Sequence, residues 1–95
     1  MKAGELLTTL TIRTNKNDYI GVYYQDKKQQ LAFSHISINK KGFLVLYKEE
    51  HAADLSMKDF LKTLMLNKKR PLYYWNGKKL SLVFGFKEEN GKLIL

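Results

Sequence analysis

Apolar and polar residues alternate along most of the chain, and a period of two predicts β-strands with one buried face. The first such run covers 6–13, where Leu6, Leu10 and Ile12 alternate with threonines and other residues. A polar segment over 15–18 then predicts a turn. The chain is therefore expected to begin with a strand.

Two further runs of alternating residues predict a hairpin. Residues 19–24 form one strand, and a loop over 26–29 leads into another that begins at Leu31. With this loop Tyr24 pairs with Leu31, so the apolar sides of both strands coincide. Later in this third strand the alternation slips by one residue, which predicts a β-bulge near Ser34.

A central strand and a helix that covers it are predicted next. Residues 43–47 are apolar on both sides, as is typical of a strand with both faces buried. After Ser56, apolar residues recur with the spacing of one helix face. Ser56 and Asp59 predict a capping box at the start of this helix, and Pro71 predicts that it ends near Asn67. The apolar stripe is Met57, Phe60, Leu61, Leu64 and Met65.

A second hairpin is predicted around 76–77, because Asn-Gly between two apolar runs is a strong hairpin signal. A two-residue loop pairs Trp75 with Lys78, which directs Tyr73 toward the core and Tyr74 away from it. The core side of the following strand is then Leu80, Leu82, Phe84 and Phe86.

A turn over 88–91 and a strand over 92–95 complete the predicted order β-β-β-β-α-β-β-β. The predicted class is α+β, mainly antiparallel, with one amphipathic helix packed on the sheet, in a single small basic domain over 1–95. Segments 22–28 and 72–79 are similar, since each has two tyrosines before a turn and two lysines on or after it. A duplication would repeat the helix, so these segments are interpreted as two hairpins of similar design.

Charge changes the functional picture. The 95 residues include 17 Lys and Arg and 9 Asp and Glu, a net charge of +8, and no acidic residue occurs between Phe60 and Lys87. A hydrophobic content of 44% still provides for a packed core. Like charge is costly to concentrate unless a polyanion uses it, which favours an anion-binding surface. The alternative interpretation is ordinary solvated lysine.

Aromatic residues beside lysines indicate the form of that surface. Lysines neutralise phosphates, and aromatic rings stack on exposed bases whatever their identity. Lysine predominates and the only arginines are Arg13 and Arg70, which argues against bidentate reading of guanine and disfavours sequence-specific duplex recognition. The sequence predicts a non-catalytic protein that binds single-stranded DNA or RNA. The predicted nucleic-acid-binding residues are Tyr23, Lys27, Lys28, Lys68, Lys69, Arg70, Tyr74, Trp75, Lys78 and Lys79.

A second class of function remains open. The same basic, aromatic surface could serve a small protein-interaction or inhibitor domain that binds an acidic protein partner. Pairing of edge strands into a homodimer is a further expectation.

Enzyme chemistry is not predicted. An acidic cluster after the fourth strand matches no metal-ligand spacing and is interpreted as a solvated loop, and His35 is assigned a structural role. No cofactor and no metal are expected. The chain has no cysteine and no segment typical of a signal peptide or membrane span, so a cytoplasmic location is expected. The cluster consists of the acidic residues Glu49, Glu50 and Asp54 together with His51.

Overall fold

The computed structural model describes residues 1–12 and 19–95. This part of the chain contains two helices, eight strands and one shared core. The turn predicted over 15–18 lies outside the described residues. The helices are α1 (Ala3–Ile12) and α2 (Met57–Leu66). The strands are β1 (Gly21–Asp26), β2 (Gln29–Ala32), β3 (His35–Ile38), β4 (Leu44–Tyr47), β5 (Leu72–Trp75), β6 (Leu80–Leu82), β7 (Lys87–Glu89) and β8 (Lys92–Ile94).

The strands form two sheets of four. The first sheet has the order β2-β1-β8-β7, and the second has the order β3-β4-β5-β6. In each sheet the two central strands run parallel, and each pairs antiparallel with an edge strand. The α+β class is confirmed, but the sheets are mixed and a second helix is present. The edge strands are β2, β7, β3 and β6, and a homodimer through them stays a prediction.

The segment predicted as the first strand is helix α1, so that prediction is wrong. The Glu5 carboxylate accepts a hydrogen bond from the Lys2 N–H and satisfies a donor at the helix start. The Thr9 hydroxyl donates to the Glu5 carbonyl one turn earlier, and Thr11 does the same to Leu7, so the threonines are compatible with a helix. Leucines that fit a period of two also fit the helical stripe Ala3, Leu6, Leu7 and Leu10.

Helix α2 forms where the sequence predicts it. The Ser56 hydroxyl accepts a hydrogen bond from the Asp59 N–H at 3.1 Å, as expected for an N-cap. Phe60 and Leu64 are fully buried, whereas Met65 at the edge of the stripe is 55% exposed. The predicted burial of Met65 is therefore wrong.

The third predicted strand is two strands in different sheets. The expected pairing of Tyr24 with Leu31 is confirmed in the β1-β2 hairpin. Beyond it, β2 ends at Ala32, and the chain crosses to the second sheet, where β3 begins at His35. The residue at the crossing, Ser34, is buried. The slip in the alternation marks this change of sheet, and the predicted single strand with a bulge is wrong.

The second hairpin has a longer loop than predicted. Trp75 pairs with Leu80, which makes 76–79 the loop. The Asn76 side chain stabilises this loop, because its Oδ1 accepts hydrogen bonds from the N–H groups of both lysines after Gly77. The predicted two-residue loop is therefore wrong.

The corrected register reverses the faces of β5. Tyr74 faces the core and packs against the rings of Tyr24 and Phe33. The predicted outward orientation of Tyr74 is wrong, because it depended on the shorter loop. Phe86 does pack against the core. Four residues predicted to face the core lie instead on the other face of the sheet or in solvent. These are Tyr73, Leu80, Leu82 and Phe84.

The chain contains two copies of one structural unit, a helix followed by four strands. The first copy runs from α1 to β4 and the second from α2 to β8. Each sheet takes two strands from each copy, and exchanging the copies converts the order β2-β1-β8-β7 into β6-β5-β4-β3. The two sheets are therefore related by a twofold pseudo-symmetry.

Equivalent hydrogen bonds support this relation. The Val22 carbonyl accepts from the Phe33 N–H at 3.0 Å, and in the second copy the Leu72 carbonyl accepts from the Val83 N–H at 2.9 Å. In α2 a threonine hydroxyl, that of Thr63, donates one turn back to the carbonyl of an acidic residue, as happens in α1. The interpretation that excluded a duplication is wrong, since it depended on missing the first helix.

Candidate nucleic-acid interface

The face of the second sheet that is turned away from the core, its outer face, is apolar and aromatic. Along β4, Val45 and Tyr47 alternate with fully buried leucines and so lie on this face. Along β5, the same face carries Tyr73 and Trp75. Val45 is only 9% exposed, so the predicted burial of β4 on both faces is confirmed over Leu44–Leu46, while Tyr47 at its end is half-buried.

A shallow groove of about 280 Å³ crosses this outer face. It includes Asn39, which follows β3, and Leu80 from β6, which form opposite edges of the sheet. The sheet is therefore curled enough for its two edges to approach one concavity. Trp75 and Leu80 are about 40% exposed at the groove. The residues that line it are Ser37, Asn39, Val45, Tyr47, Trp75 and Leu80.

Two stacked ring pairs hold the aromatic side chains of the outer face. The rings of Phe43 and Tyr73 lie 4.5 Å apart, with 15° between their planes. The rings of His35 and Tyr47 lie 5.1 Å apart, with 10° between their planes. The His35 Nδ1 lies 2.8 Å from the Ser34 hydroxyl, which helps to orient the imidazole ring. Rings fixed in this way form a preorganised surface for a planar ligand.

One end of the outer face is strongly basic. The β3-β4 turn and the connection from α2 to β5 meet there, because parallel strands β4 and β5 begin at the same end of the sheet. Arg70 joins the two segments, since its Nη1 donates to the Gly42 carbonyl and its Nε to the Asn67 side chain, each at 3.0 Å. The basic residues brought together are Lys40, Lys41, Lys68, Lys69 and Arg70.

The other end of the outer face carries lysines as well. Trp75 leads into the hairpin loop that exposes Lys78 and Lys79. Lys48 follows Tyr47 at the same end of the sheet, where the parallel strands finish. An aromatic groove thus lies between two sets of cations.

Acidic residues are absent from the second sheet. No Asp or Glu occurs between Asp26 and Glu49, or between Asp59 and Glu88. All four strands of the second sheet and the turns inside its hairpins fall within these two stretches. The strands of the second sheet and the turns inside its hairpins therefore contribute no carboxylate, which would repel an anionic ligand. Glu49 and Glu50 directly follow Lys48 outside these stretches.

The structure separates the predicted binding residues into two groups. One group belongs to the first sheet: Lys27 and Lys28 lie at the tip of the β1-β2 hairpin, and Tyr23 lies on the outer face of β1. Tyr74 belongs to neither surface, because its ring is in the core. Of the other predicted residues, Trp75 lines the groove, and Lys78 and Lys79 follow it in the hairpin loop. Lys68, Lys69 and Arg70 line a separate concavity at the end of the sheet where β4 and β5 begin.

Sequence reasoning missed most of the groove itself. Its floor and walls depend on which strands are neighbours and on the register of the β5-β6 hairpin. The only signal was the run over 43–47, whose second apolar face needs something to cover it. The missed lining residues are Ser37, Asn39, Val45, Tyr47 and Leu80. The stacked pair Phe43 and Tyr73 on the same face was missed as well.

Ionisable groups also occur in the core and in the loop that follows β4. Burial raises the pKa of the Tyr24 hydroxyl, and the nearby Asp26 carboxylate and Tyr74 add to this rise. In the described part of the chain, no three His, Asp or Glu side chains are grouped so that they could hold a metal ion. The predicted loop residues Glu49, Glu50, His51 and Asp54 are exposed.

No helix within 1–12 or 19–95 combines the length and apolar character needed to cross a membrane. Comparison of the chain with models of protein families, with characterised proteins and with solved structures gives no match. The site is therefore interpreted from its own geometry and charge.

Proposed function

We propose that the protein binds single-stranded nucleic acid, without catalysing a reaction on it, in the groove of the second sheet. The observation that carries this proposal is the placement of an aromatic groove between two basic ends in a sheet that contains no carboxylate. An apolar groove alone would suit many ligands. The cations at both ends favour one that is long, flexible and anionic.

Each part of the site has a role in this proposal. Unpaired bases stack on Trp75 and Tyr47, and each such contact contributes about 1–3 kcal/mol. Ser37 and Asn39 add polar groups to the groove wall, within reach of base edges. Bases in a duplex are already stacked on one another, so an aromatic floor favours single strands. Lysines on both sides bind phosphates as point charges and do not select a base.

Intrinsic fluorescence tests the proposal directly, because Trp75 is the only tryptophan in the chain. Titration with single-stranded DNA or RNA should quench this fluorescence to saturation. An equal length of duplex should quench it less at the same salt concentration. The apparent affinity for the single strand should fall as salt rises, because bound phosphates release counterions.

A matched pair of variants distinguishes stacking from charge. Trp75→Ala should weaken binding of a labelled single strand by about 1–3 kcal/mol, or about 5–150-fold, and leave its salt dependence nearly unchanged. Gln25→Ala changes the equivalent position of the first sheet and should leave affinity unchanged. Equal affinity in both variants, or no binding by the parent protein at physiological salt, would overturn the proposal. The protein-partner interpretation would then be the better one.

A further inference from the structure

The outer face of the first sheet contains positions equivalent to residues that line the groove or lie beside it. Under the pseudo-symmetry Gln30 corresponds to Leu80, because Gln30 pairs with Gln25 in β1 as Leu80 pairs with Trp75 in β5. Lys92, the first residue of β8, corresponds to Phe43 just before β4. The same two positions therefore carry polar residues in one sheet and apolar residues in the other.

Polar side chains close the groove of the first sheet. The Gln30 Nε2 donates to the Glu89 carboxylate at 2.9 Å, although these residues lie on opposite edge strands. The Lys92 ammonium donates to the Gln30 Oε1 at 3.2 Å and lies 5.1 Å from the centre of the Tyr23 ring. This bridge spans the sheet above Ile94, which is only 2% exposed.

The equivalent residues of the second sheet leave the groove open. Leu80 has no polar atom with which to bridge the sheet. Asn39 instead stabilises its own turn, since its Oδ1 accepts from the N–H groups of Lys41 and Phe43. Phe43 stacks on Tyr73. At the equivalent positions of the first sheet, Lys92 lies over the ring of Tyr23.

We infer that the protein carries two copies of one groove, one open and one closed, and binds one nucleic-acid strand per chain through the open copy. The second sheet is open because it carries Leu80, Asn39 and Phe43. The first sheet is closed because it carries Gln30, Glu89 and Lys92 at the equivalent positions. The identity of the ligand rests on the proposed function. The open and closed states rest on the contacts described above.

A closing variant exchanges the open residues for the closed ones in the second sheet: Leu80→Gln, Asn39→Glu and Phe43→Lys. It adds one negative and one positive charge, so the net charge of the protein does not change. We expect a folded protein by circular dichroism whose affinity for a single strand is lower by about tenfold or more. A folded closing variant that binds as the parent does would overturn the inference.

An opening variant makes the reverse change in the first sheet: Gln30→Leu, Glu89→Asn and Lys92→Phe. A fourth substitution, Gln25→Trp, supplies the side chain that Trp75 provides in the second sheet. The opening variant is also neutral in net charge, and it tests the inference even if the closing variant fails to fold. The parent should bind one short oligonucleotide per chain and the opening variant two. One bound oligonucleotide in a folded opening variant would contradict the equivalence of the grooves.

A dye titration separates this inference from the proposed function. Anilinonaphthalene sulfonate is an anionic aromatic dye that fluoresces on exposed apolar surface. Relative to the parent, the number of bound dye molecules should fall by one in the closing variant and rise by one in the opening variant. If the dye counts change in this way while no protein binds a single strand, the grooves are as inferred and the proposed function is wrong. Unchanged dye counts in folded variants would overturn the inference itself.

Discussion

The rings of Tyr24 and Tyr74 lie 5.9 Å apart in the core, at equivalent positions of the two copies of the repeated unit. The Phe33 ring contacts both and joins the inner faces of the two sheets. Because these tyrosines face inward, the residues before them, Tyr23 and Tyr73, face outward on different sheets. A duplicated unit thus shares one core but has two separate outer faces, which can differ in chemistry without disturbing the fold.

The buried position of Tyr24 predicts a loss of stability in alkaline solution. Its pKa is raised in the folded protein from a reference value of 10.0, first by burial and then by the Asp26 charge and Tyr74. The folded state therefore keeps the phenol proton more strongly than the unfolded state does. This contribution is fully present below about pH 10 and is lost as the pH rises from there through the folded pKa.

Urea denaturation at a series of pH values from about pH 9 to about pH 12 measures this effect. The free energy of unfolding should fall less steeply in Tyr24→Phe, which has no proton to lose, than in the parent. Tyr23→Phe, at the neighbouring outward position, should keep the steep fall. The assignment fails if Tyr24→Phe and the parent show the same slope.

Phe60 should be a main source of stability, because its side chain is fully buried between α2 and the sheets. Phe60→Ala should reduce the free energy of unfolding by about 3–5 kcal/mol, which a small domain can hardly tolerate. Phe60→Leu should give a smaller loss and a measurable folded state. Met65→Ala, on the exposed side of the same helix, should change the stability by less than about 0.5 kcal/mol. Thermal and urea denaturation provide the test, and similar losses at both positions would show that the helix packs differently.

Helix α1 can be distinguished from the strand that the sequence predicts by one exposed substitution. Thr8 is exposed, and alanine has a higher helix propensity than threonine but a lower strand propensity. Thr8→Ala should therefore raise the free energy of unfolding by up to about 0.7 kcal/mol. Thr8→Gly, by contrast, should lower it. A loss of stability in Thr8→Ala would favour a strand over 6–13.

The parts of the fold that the sequence predicts correctly carry more than one local signal. Helix α2 has both a capping residue, Ser56, and an apolar stripe of helical spacing. The β1-β2 hairpin has two apolar faces that agree in only one register. Helix α1 lacks such redundancy, because Leu6 and Leu10 suit either period. Missing it also concealed the duplication.

The candidate site likewise has one part that the sequence predicts and one part that it does not. Charge alone identifies Lys68, Lys69 and Arg70 as a basic cluster, since nothing about their chemistry depends on the fold. The groove depends on the parallel pairing of β4 with β5, which joins segments far apart in the chain. No local pattern specifies that pairing, and the Asn-Gly signal pointed to a loop that would have turned Trp75 and Tyr73 to other faces.

The two basic hairpins provide the last prediction, because the proposed site uses only one of them. Lys78 and Lys79 adjoin the groove beside Trp75, whereas Lys27 and Lys28 lie at the tip of the first-sheet hairpin. Changing Lys78 and Lys79 together to Ala should weaken single-strand binding at low salt and reduce the salt dependence by about one to two ions. The matched change of Lys27 and Lys28 removes the same charge and should have a much smaller effect. Stability should hardly move in either variant, since exposed lysines at a loop contribute little to packing. Equal losses of affinity would mean that the protein attracts nucleic acid through its net charge alone and not through the groove.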